Sequence, residues 1–185
     1  MKKVIGITGS IGSGKSYAVE KFKTICEQNK INARFFDVDD IRRDILKQEK
    51  IDRTKLNQKI YNNPEEMKRY KEFINPQIKK YLVEKIKDND CVVFIEWALL
   101  VEDGLDNIVD SIIEVYCKKE IQIKRLEDGD LEKEEIIKRM NLQLTNEQKI
   151  DKIKQLNKEF YIIDTSNNPR IEEYESVLKK EGLYE

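Results

Sequence analysis

Histidine is absent from this chain of 185 residues, which also contains only three prolines, three cysteines and seven glycines. Without histidine there can be no Ser-His-Asp or Cys-His catalysis, no HExxH metal site and no other histidine-ligated metal. The cysteines, Cys26, Cys91 and Cys117, form no Cys-x-x-Cys pair, which excludes the usual zinc and thioredoxin-like motifs. We expect them to be free, buried thiols in a reducing compartment. Any chemistry must therefore use carboxylates, lysine, arginine, hydroxyls or backbone amides.

The chain also lacks an excess of either charge and lacks a long hydrophobic run. Its 35 basic residues nearly balance 36 acidic ones, whereas nucleic-acid-binding proteins usually carry a basic excess. The longest apolar stretch, residues 92–101, contains Glu96, and a membrane-spanning helix needs about 20 apolar residues. The N-terminus does not resemble a signal peptide. We therefore predict a cytoplasmic protein that binds neither nucleic acid nor membrane, and that is a monomer or a weak homo-oligomer.

Short apolar runs rich in β-branched residues alternate with helical patterns along the chain. This alternation is typical of an α/β fold with a parallel sheet. Residues 91–96 are the most apolar run, and we expect this strand at the centre of the sheet. The predicted strands cover residues 3–8, 33–38, 91–96, 111–117 and 160–163.

Helical patterns fill the segments between the predicted strands. Asn63 followed by Pro64 and two glutamates is a helix start, because asparagine caps helices and proline fits the first turn. That helix is expected to extend to about residue 87, with a possible break at Pro76. The predicted helices cover residues 15–29, 40–48, 54–61, 64–87, 119–127, 132–144, 146–156 and 170–180.

The sharpest signal is a glycine-rich segment between a predicted strand and a predicted helix. It fits Gly-x-x-x-x-Gly-Lys-Ser, the phosphate-binding loop motif, in the context that this motif requires. Its glycines let backbone N–H groups surround a phosphate, and the following helix directs its positive end at the same anion. We predict ATP or GTP binding, with Lys15 reaching the β- and γ-phosphates and Ser16 ligating Mg²⁺. The loop comprises Gly9, Ser10, Ile11, Gly12, Ser13, Gly14, Lys15 and Ser16.

Acidic residues follow two further strands, at the carboxyl edge of the sheet where ligands bind in such folds. Asp37 and Asp39 follow the second predicted strand, and Glu96 ends the third. A carboxylate there can accept a proton from a hydroxyl or hold Mg²⁺, although Asp39 can also simply cap a helix. Trp97 can stack on a base or pack in the core, and core packing is favoured.

Arginine is much rarer than lysine in this chain, so individual arginines are informative. Arg125 and Arg139 lie on the two helices after the fourth predicted strand. Their guanidinium groups can hold phosphate oxygens in a bidentate fork, or they can form surface ion pairs.

Taken together, these motifs resemble the dephospho-CoA kinase family over most of the chain. The phosphate-binding loop alone indicates only a superfamily, whereas the ordered series of segments indicates the family. The matching segments are GITGSIGSGKS, DVDDIRRDIL, IDRTKLNQKIYNNPEE, INPQI, EWALLVEDGL, KRLEDGD, RMNLQLTNEQK and KEFYIIDTSNN.

The resemblance implies ATP- and Mg²⁺-dependent phosphorylation of the ribose 3′-hydroxyl of dephospho-CoA, the last step of coenzyme A synthesis. It implies one P-loop kinase domain over residues 1–185, a three-layer α/β/α structure with a five-stranded parallel sheet. A helical substrate-binding insertion is expected at about 45–88 and a lid at about 119–145. It also implies catalytic roles for Lys15, Asp39, Asp37 (the alternative base) and Arg139; nucleotide contacts from the loop residues, Tyr17 and Arg125; substrate contacts from Asp39, Arg43 and Glu102; and metal contacts from Ser16, Asp37 and Glu96.

The chain departs from the family pattern at several positions. Asn75 stands where the family commonly has histidine, Ala98 where it has proline and Tyr17 where it has threonine. Two alternatives stay open: a nucleotide or nucleoside kinase on the same fold, and a non-catalytic nucleotide-binding regulator. The chain has no Asn-Lys-x-Asp tetrad, which counts against a GTP switch.

Overall fold

Five parallel strands form a single sheet in the computed structural model, which describes residues 2–60, 63–129 and 133–185. The strands are β1 (Lys3–Thr8), β2 (Ala33–Asp37), β3 (Val92–Glu96), β4 (Ser111–Tyr116) and β5 (Glu159–Asp164). Their order across the sheet is β2-β3-β1-β4-β5. The predicted α/β fold with a five-stranded parallel sheet is confirmed, with strand ends within about two residues of those expected.

The predicted place of the most apolar strand at the centre of the sheet is wrong. The middle strand is β1, and β3 lies between β1 and β2. The apolar side chains of β3 indicate that this strand is buried on both faces, and every interior strand of such a sheet is buried in that way. The middle strand is less apolar because it contains Gly6, where an added Cβ would lie 2.6 Å from Leu100 Cδ2.

Eight α-helices, the shortest of 8 residues, lie between or after the strands within the described residues. The predicted pattern is confirmed, although the lid helix predicted at 132–144 is described only from Lys133 and ends at Asn141. The last predicted residue of the 54–61 helix also lies outside the described residues. The helices are α1 (Lys15–Gln28), α2 (Val38–Gln48), α3 (Arg53–Ile60), α4 (Pro64–Lys87), α5 (Lys119–Glu127), α6 (Lys133–Asn141), α7 (Asn146–Lys154) and α8 (Ile171–Lys180).

Hydrophobic cores lie on both faces of the sheet, as three α/β/α layers require. Val93 and Ile95 of β3 face the core formed with α2, α4 and α7, while Val92 and Phe94 face the core formed with α1 and α8. The alternation follows from the two-residue period of a strand. Cys26, Cys91 and Cys117 are buried and free, as predicted.

Helix α4 begins where the sequence predicts and is not interrupted by its internal proline. The Asn63 side chain accepts hydrogen bonds from the backbone N–H groups of Glu65 and Glu66, and Pro64 occupies the first turn. Pro76 removes only one backbone donor, and buried Ile74 and Ile78 on either side of it pack into the core. Packing therefore outweighs the local cost of proline.

The carboxyl ends of the parallel strands meet at one edge of the sheet, and this edge positions the site. In the strand register Asp37 is opposite Glu96, and Glu96 is opposite Ile7, just before the phosphate-binding loop. The carboxylates predicted from separate segments are therefore adjacent. Within the described residues, none of the helices combines the length and apolarity that crossing a bilayer requires.

Candidate active site

The phosphate-binding loop connects β1 to α1 and has the backbone conformation its glycines predict. Gly14 caps α1 with φ +88°, and an added Cβ there would lie 3.3 Å from Arg125 Nη1. The Ser13 N–H donates to the Ser10 carbonyl at 3.1 Å, which closes a tight turn. The first turn of α1 therefore presents free N–H groups and its positive end to an anion held in the loop.

Arg125 supports this loop from the neighbouring helix α5. Its Nη1 donates to the Gly12 and Ser13 carbonyls at 3.4 Å each and to Thr165 Oγ1 at 3.0 Å, while Nη2 donates to the Thr165 carbonyl at 2.6 Å. Thr165 Oγ1 donates in turn to the Ser13 carbonyl at 2.6 Å. Arg125, which was predicted to contact the nucleotide, therefore holds backbone carbonyls of the loop.

Lys15 lies in the loop at the first position of α1, where it is partly buried. Its ammonium group donates to the Ser10 carbonyl at 3.3 Å. Burial lowers the pKa of Lys15, and the nearby Glu96 carboxylate partly opposes that shift. A phosphate in the loop would provide the additional negative charge that stabilises the protonated amine.

Ser16, Asp37 and Glu96 bring hard oxygen donors together beside the loop. Ser16 Oγ donates to Glu96 Oε1 at 3.1 Å, and β2 places Asp37 beside Glu96. Burial raises the pKa of both carboxyls, and the neighbouring Asp37 charge adds to the shift at Glu96. The described residues contain no cluster of three metal-ligating Asp, Glu, Cys or His side chains. A hydroxyl with two carboxylates still fits Mg²⁺, which in phosphoryl-transfer sites takes its other ligands from phosphates and water.

A cavity of about 350 Å³ opens beside the loop, between α2, α3, α4, the segment after β3 and helix α6. It brings together four predicted residues, namely Ile11, Lys15, Asp39 and Arg139. These come from three separate stretches of the chain, namely the loop, α2 and α6. The cavity therefore joins the phosphate-binding loop to a carboxylate and an arginine, the group types that phosphoryl transfer uses.

Arg43 is not placed in this cavity; its neighbour Arg42 is. Arg43 pairs with Asp40 at 2.9 Å, and both side chains are more than half exposed. Arg42 pairs with Asp39 at 3.1 Å and lines the cavity. The reason is helical spacing, because residues three apart share a face of α2 and Asp39 is three residues before Arg42.

Glu102 is also absent from the cavity lining, because it is paired beneath the site. Lys149 Nζ lies 2.8 and 3.0 Å from the two Glu102 carboxylate oxygens and donates to the Ala98 carbonyl at 2.6 Å. The Leu144 N–H donates to Glu102 at 3.4 Å. The predicted substrate contact is thus replaced by an internal ion pair that joins α7 to the segment after β3.

The segment between α6 and α7 contacts the phosphate-binding loop directly. Gln143 Oε1 accepts from the Ile11 N–H at 2.9 Å, and Ser10 Oγ donates to Asn146 Oδ1 at 2.9 Å. Asn146 also donates to the Cys117 carbonyl at 2.6 Å. Tyr17, predicted to contact nucleotide, is about half exposed on α1. The α6–α7 connection and the first residue of α7 are therefore joined to the loop by side-chain hydrogen bonds.

A family model described as dephospho-CoA kinase matches residues 29–159, which is more than half of the chain. The matched range begins after the phosphate-binding loop, so the match does not depend on that motif. The chain belongs to the dephospho-CoA kinase family.

Curated dephospho-CoA kinases confirm this membership over most of the chain. One from Fusobacterium nucleatum is 30% identical over 164 residues, which cover 80% of this chain and 85% of the relative. One from Rickettsia felis is 34% identical over 162 residues, which cover 80% and 83%. Membership makes the chain a nucleotide-using kinase of coenzyme A biosynthesis and confirms the resemblance noted from its motifs.

Solved structures that resemble this one show the same fold. A Thermus thermophilus structure matches with a TM-score of 0.78 at 22% identity and covers 96% of this chain and 95% of its own. The deoxyadenosine kinase of M. mycoides matches with a TM-score of 0.59 at 14% identity, covering 98% and 100%. At such identities the likeness establishes the three-layer P-loop kinase fold alone.

The residues that sequence reasoning missed lie on the walls of the cavity rather than in the loop. Arg42, Lys71, Asn75 and Asp103 all line it, with Lys71 Nζ 2.8 Å from Asp103 Oδ1. Arg42 had a recognisable signal, its three-residue spacing from Asp39, and Asn75 stood out as a departure from the family pattern. The others come from distant segments, and only the tertiary structure brings them together.

Proposed function

We propose that this member of the dephospho-CoA kinase family transfers the γ-phosphoryl group of ATP to the ribose 3′-hydroxyl of dephospho-CoA. The supporting observation is the single cavity that holds Lys15, Asp39, Arg42 and Arg139. The lysine and the arginines can stabilise the charge of a phosphate, and the Asp39 carboxylate beside them can accept a proton from a hydroxyl group. No observation favours a non-catalytic regulator or another acceptor.

ATP would bind with its phosphates in the loop. The loop N–H groups and the α1 N-terminus would hold phosphate oxygens, and Lys15 would contact the transferring group. Ser16, Asp37 and Glu96 would hold Mg²⁺, which when bound neutralises phosphate charge. Arg125 would keep the loop carbonyls in place.

Asp39 is the proposed base for the acceptor hydroxyl. Its side chain lines the cavity and is oriented by Arg42 at 3.1 Å. Asp37, the alternative base, is less suited, because its Oδ1 accepts the Asp39 backbone N–H at 2.7 Å and it lies beside Glu96. A carboxylate oxygen of Asp39 would accept the hydroxyl proton as the phosphoryl group transfers.

Arg139 is the proposed lid residue. It lines the cavity from α6, as Asp39 does from α2. From there its guanidinium group would offset charge on the transferring phosphoryl group and help to exclude water. Residues 119–145 would form this lid, and residues 45–88 the acceptor-binding insertion, within one domain.

The cellular setting is inferred from composition. A formal net charge of −1 gives no general attraction to nucleic acid, and buried free thiols suit a reducing compartment. We infer a cytoplasmic enzyme, a monomer or weak homo-oligomer, with a small-molecule acceptor.

The deciding experiment measures ADP release with Mg-ATP, with and without dephospho-CoA, beside a panel of nucleosides and nucleoside monophosphates. We expect stimulation by dephospho-CoA, with coenzyme A as the product. Lys15→Ala should reduce turnover at least about 1,000-fold, since it removes a charge at the transferring phosphate. Lys21→Ala, on the same helix, is the matched control and should stay near wild type. Stimulation by a nucleoside or nucleotide alone would refute the assigned acceptor.

A further inference from the structure

The acceptor cavity contains an unusual concentration of unsatisfied polar atoms. Buried side-chain atoms normally have hydrogen-bond partners. Four that line this cavity have no partner among the described residues, and they divide into two donors and two acceptors. A ligand that supplies both acceptors and donors would satisfy them. The four atoms are Arg42 Nε, Trp97 Nε1, Asn75 Oδ1 and Asp103 Oδ2.

Trp97 provides the most firmly positioned of these groups. It directly follows β3, and its backbone N–H donates to the Ile7 carbonyl at 2.9 Å, which fixes the residue to the sheet. The residue is only 2% exposed and packs in the core beside α4. Its indole N–H can only donate, so a partner must be an acceptor.

Asn75 provides an acceptor from helix α4. It precedes Pro76 in α4, between residues that pack in the core, so its backbone is held by the helix. Its Oδ1 is buried and unpartnered. The Asp103 carboxylate is less available, because its other oxygen already accepts from Lys71 at 2.8 Å.

We propose that the Trp97 indole N–H and the Asn75 amide oxygen recognise the adenine ring of the acceptor, an inference that rests on the proposed function. Adenine presents ring nitrogens that accept and an adjacent amino group that donates, and its flat faces suit apolar walls. Val38, Leu46 and Ile74 line the same cavity.

Connectivity favours the adenine over the pantetheine amides, which also donate and accept. The adenine is bonded to the ribose that carries the reacting hydroxyl, so it must lie near Asp39. The pantetheine arm is separated from that ribose by two phosphates. Asp39, Trp97 and Asn75 line one cavity, which matches the nearer group.

The first test uses the fact that Trp97 is the only tryptophan of the chain. With a saturating non-hydrolysable ATP analogue present, indole emission is followed during titration with dephospho-CoA, AMP or 4′-phosphopantetheine. We expect saturable changes with dephospho-CoA and AMP and none with phosphopantetheine. A change with phosphopantetheine but not AMP would assign the cavity to the other arm and overturn the proposal.

The second test separates hydrogen bonding from packing. Trp97→Phe keeps an aromatic ring without the donor, and Asn75→Leu keeps a similar shape without the amide. Each should raise KM for dephospho-CoA about 10-fold while KM for ATP and kcat stay within about 2-fold. Tyr174→Phe is the control, because it removes another unpartnered buried donor on the other face of the sheet.

An acceptor analogue tests the direction of the hydrogen bonds. Replacing adenine by hypoxanthine converts the donor at position 6 into an acceptor that would oppose Asn75 Oδ1. Wild type should use this analogue at least about 10-fold less efficiently than dephospho-CoA, and Asn75→Leu should lose most of that discrimination. If Asn75→Leu lowered kcat/KM by the same factor for dephospho-CoA and for the hypoxanthine analogue, recognition of the base by Asn75 would be contradicted.

Failure of this proposal is distinguishable from failure of the proposed function. Coenzyme A production by wild type, with an unchanged KM in both Trp97→Phe and Asn75→Leu, would overturn adenine recognition and leave the function intact. If wild type makes no coenzyme A, the function fails. The emission titration would then still decide whether adenine occupies the cavity, independently of any variant's folding.

Discussion

Removing the buried amine of Lys149 tests the support beneath the active site. Lys149 is fully buried and donates to the Ala98 carbonyl and to both oxygens of Glu102, whose side chain is 11% exposed. In Lys149→Met the Glu102 carboxylate retains, among the described residues, only the Leu144 N–H at 3.4 Å. The variant therefore leaves a nearly buried, uncompensated negative charge.

The expected loss is large because the remaining charge cannot reach water. Breaking a buried pair by removing one partner costs about 3–5 kcal/mol, a substantial part of the roughly 5–15 kcal/mol that stabilises a domain. Replacing both partners by apolar residues removes the unpaired charge. Lys149→Met combined with Glu102→Leu should therefore recover most of the loss.

Urea unfolding, monitored by far-ultraviolet circular dichroism, measures these free energies of unfolding. The comparison requires that m, the slope of the free energy with urea concentration, is the same in each variant. Lys154→Met is the matched control, since Lys154 lies on the same helix and pairs with Asp151 at 3.5 Å in an exposed position. It should cost less than about 1 kcal/mol. The reasoning would be refuted if Lys149→Met were no more destabilising than Lys154→Met, or if the double variant were less stable than the single one.

Three further predictions address the reaction and its pH dependence. Asp39→Asn should lower kcat at least about 100-fold in steady-state assays and change ATP affinity little; an unchanged kcat would transfer the base role to Asp37. Arg42→Ala should raise KM for dephospho-CoA more than Arg43→Ala does, and the reverse order would contradict the cavity assignment. Burial raises the pKa of Glu114 from 4.5 to about 8. Between about pH 4.5 and pH 8 the folded chain therefore keeps a proton on Glu114 that the unfolded chain loses. The free energy of unfolding falls as pH rises through this range. In Glu114→Gln that fall should be smaller, as unfolding at about pH 5 and pH 8 would show.

Sequence reasoning succeeded where short-range physics dominates. Asn63 and Pro64 start α4 because capping depends on neighbouring backbone groups. The Gly14–Lys15–Ser16 segment forms the end of the phosphate-binding loop because glycine torsions and the following helix are local properties. The carboxyl ends of β2 and β3 were placed together because parallel strands share an edge.

Sequence reasoning failed where the role of a side chain depends on residues that are distant in the sequence but adjacent in the fold. Arg43 and Arg42 are adjacent in sequence, yet only Arg42 lines the cavity, because α2 rotates successive side chains by about 100°. Glu102 follows an active-site segment, but its partner, Lys149, lies 47 residues later. Nothing local distinguishes this lysine from the many on solvated helix faces.

By itself the sequence determined the α/β class, the nucleotide loop and, through an ordered series of motifs, the family. These depend on residue types at fixed short spacings, which the chain carries wherever it folds. The tertiary structure alone decided which strand lies in the middle, which arginine lines the cavity beside the loop and that the Trp97 N–H there has no partner among the described residues. Those facts depend on long-range packing, because burial and hydrogen-bond partners are properties of the whole chain rather than of any segment.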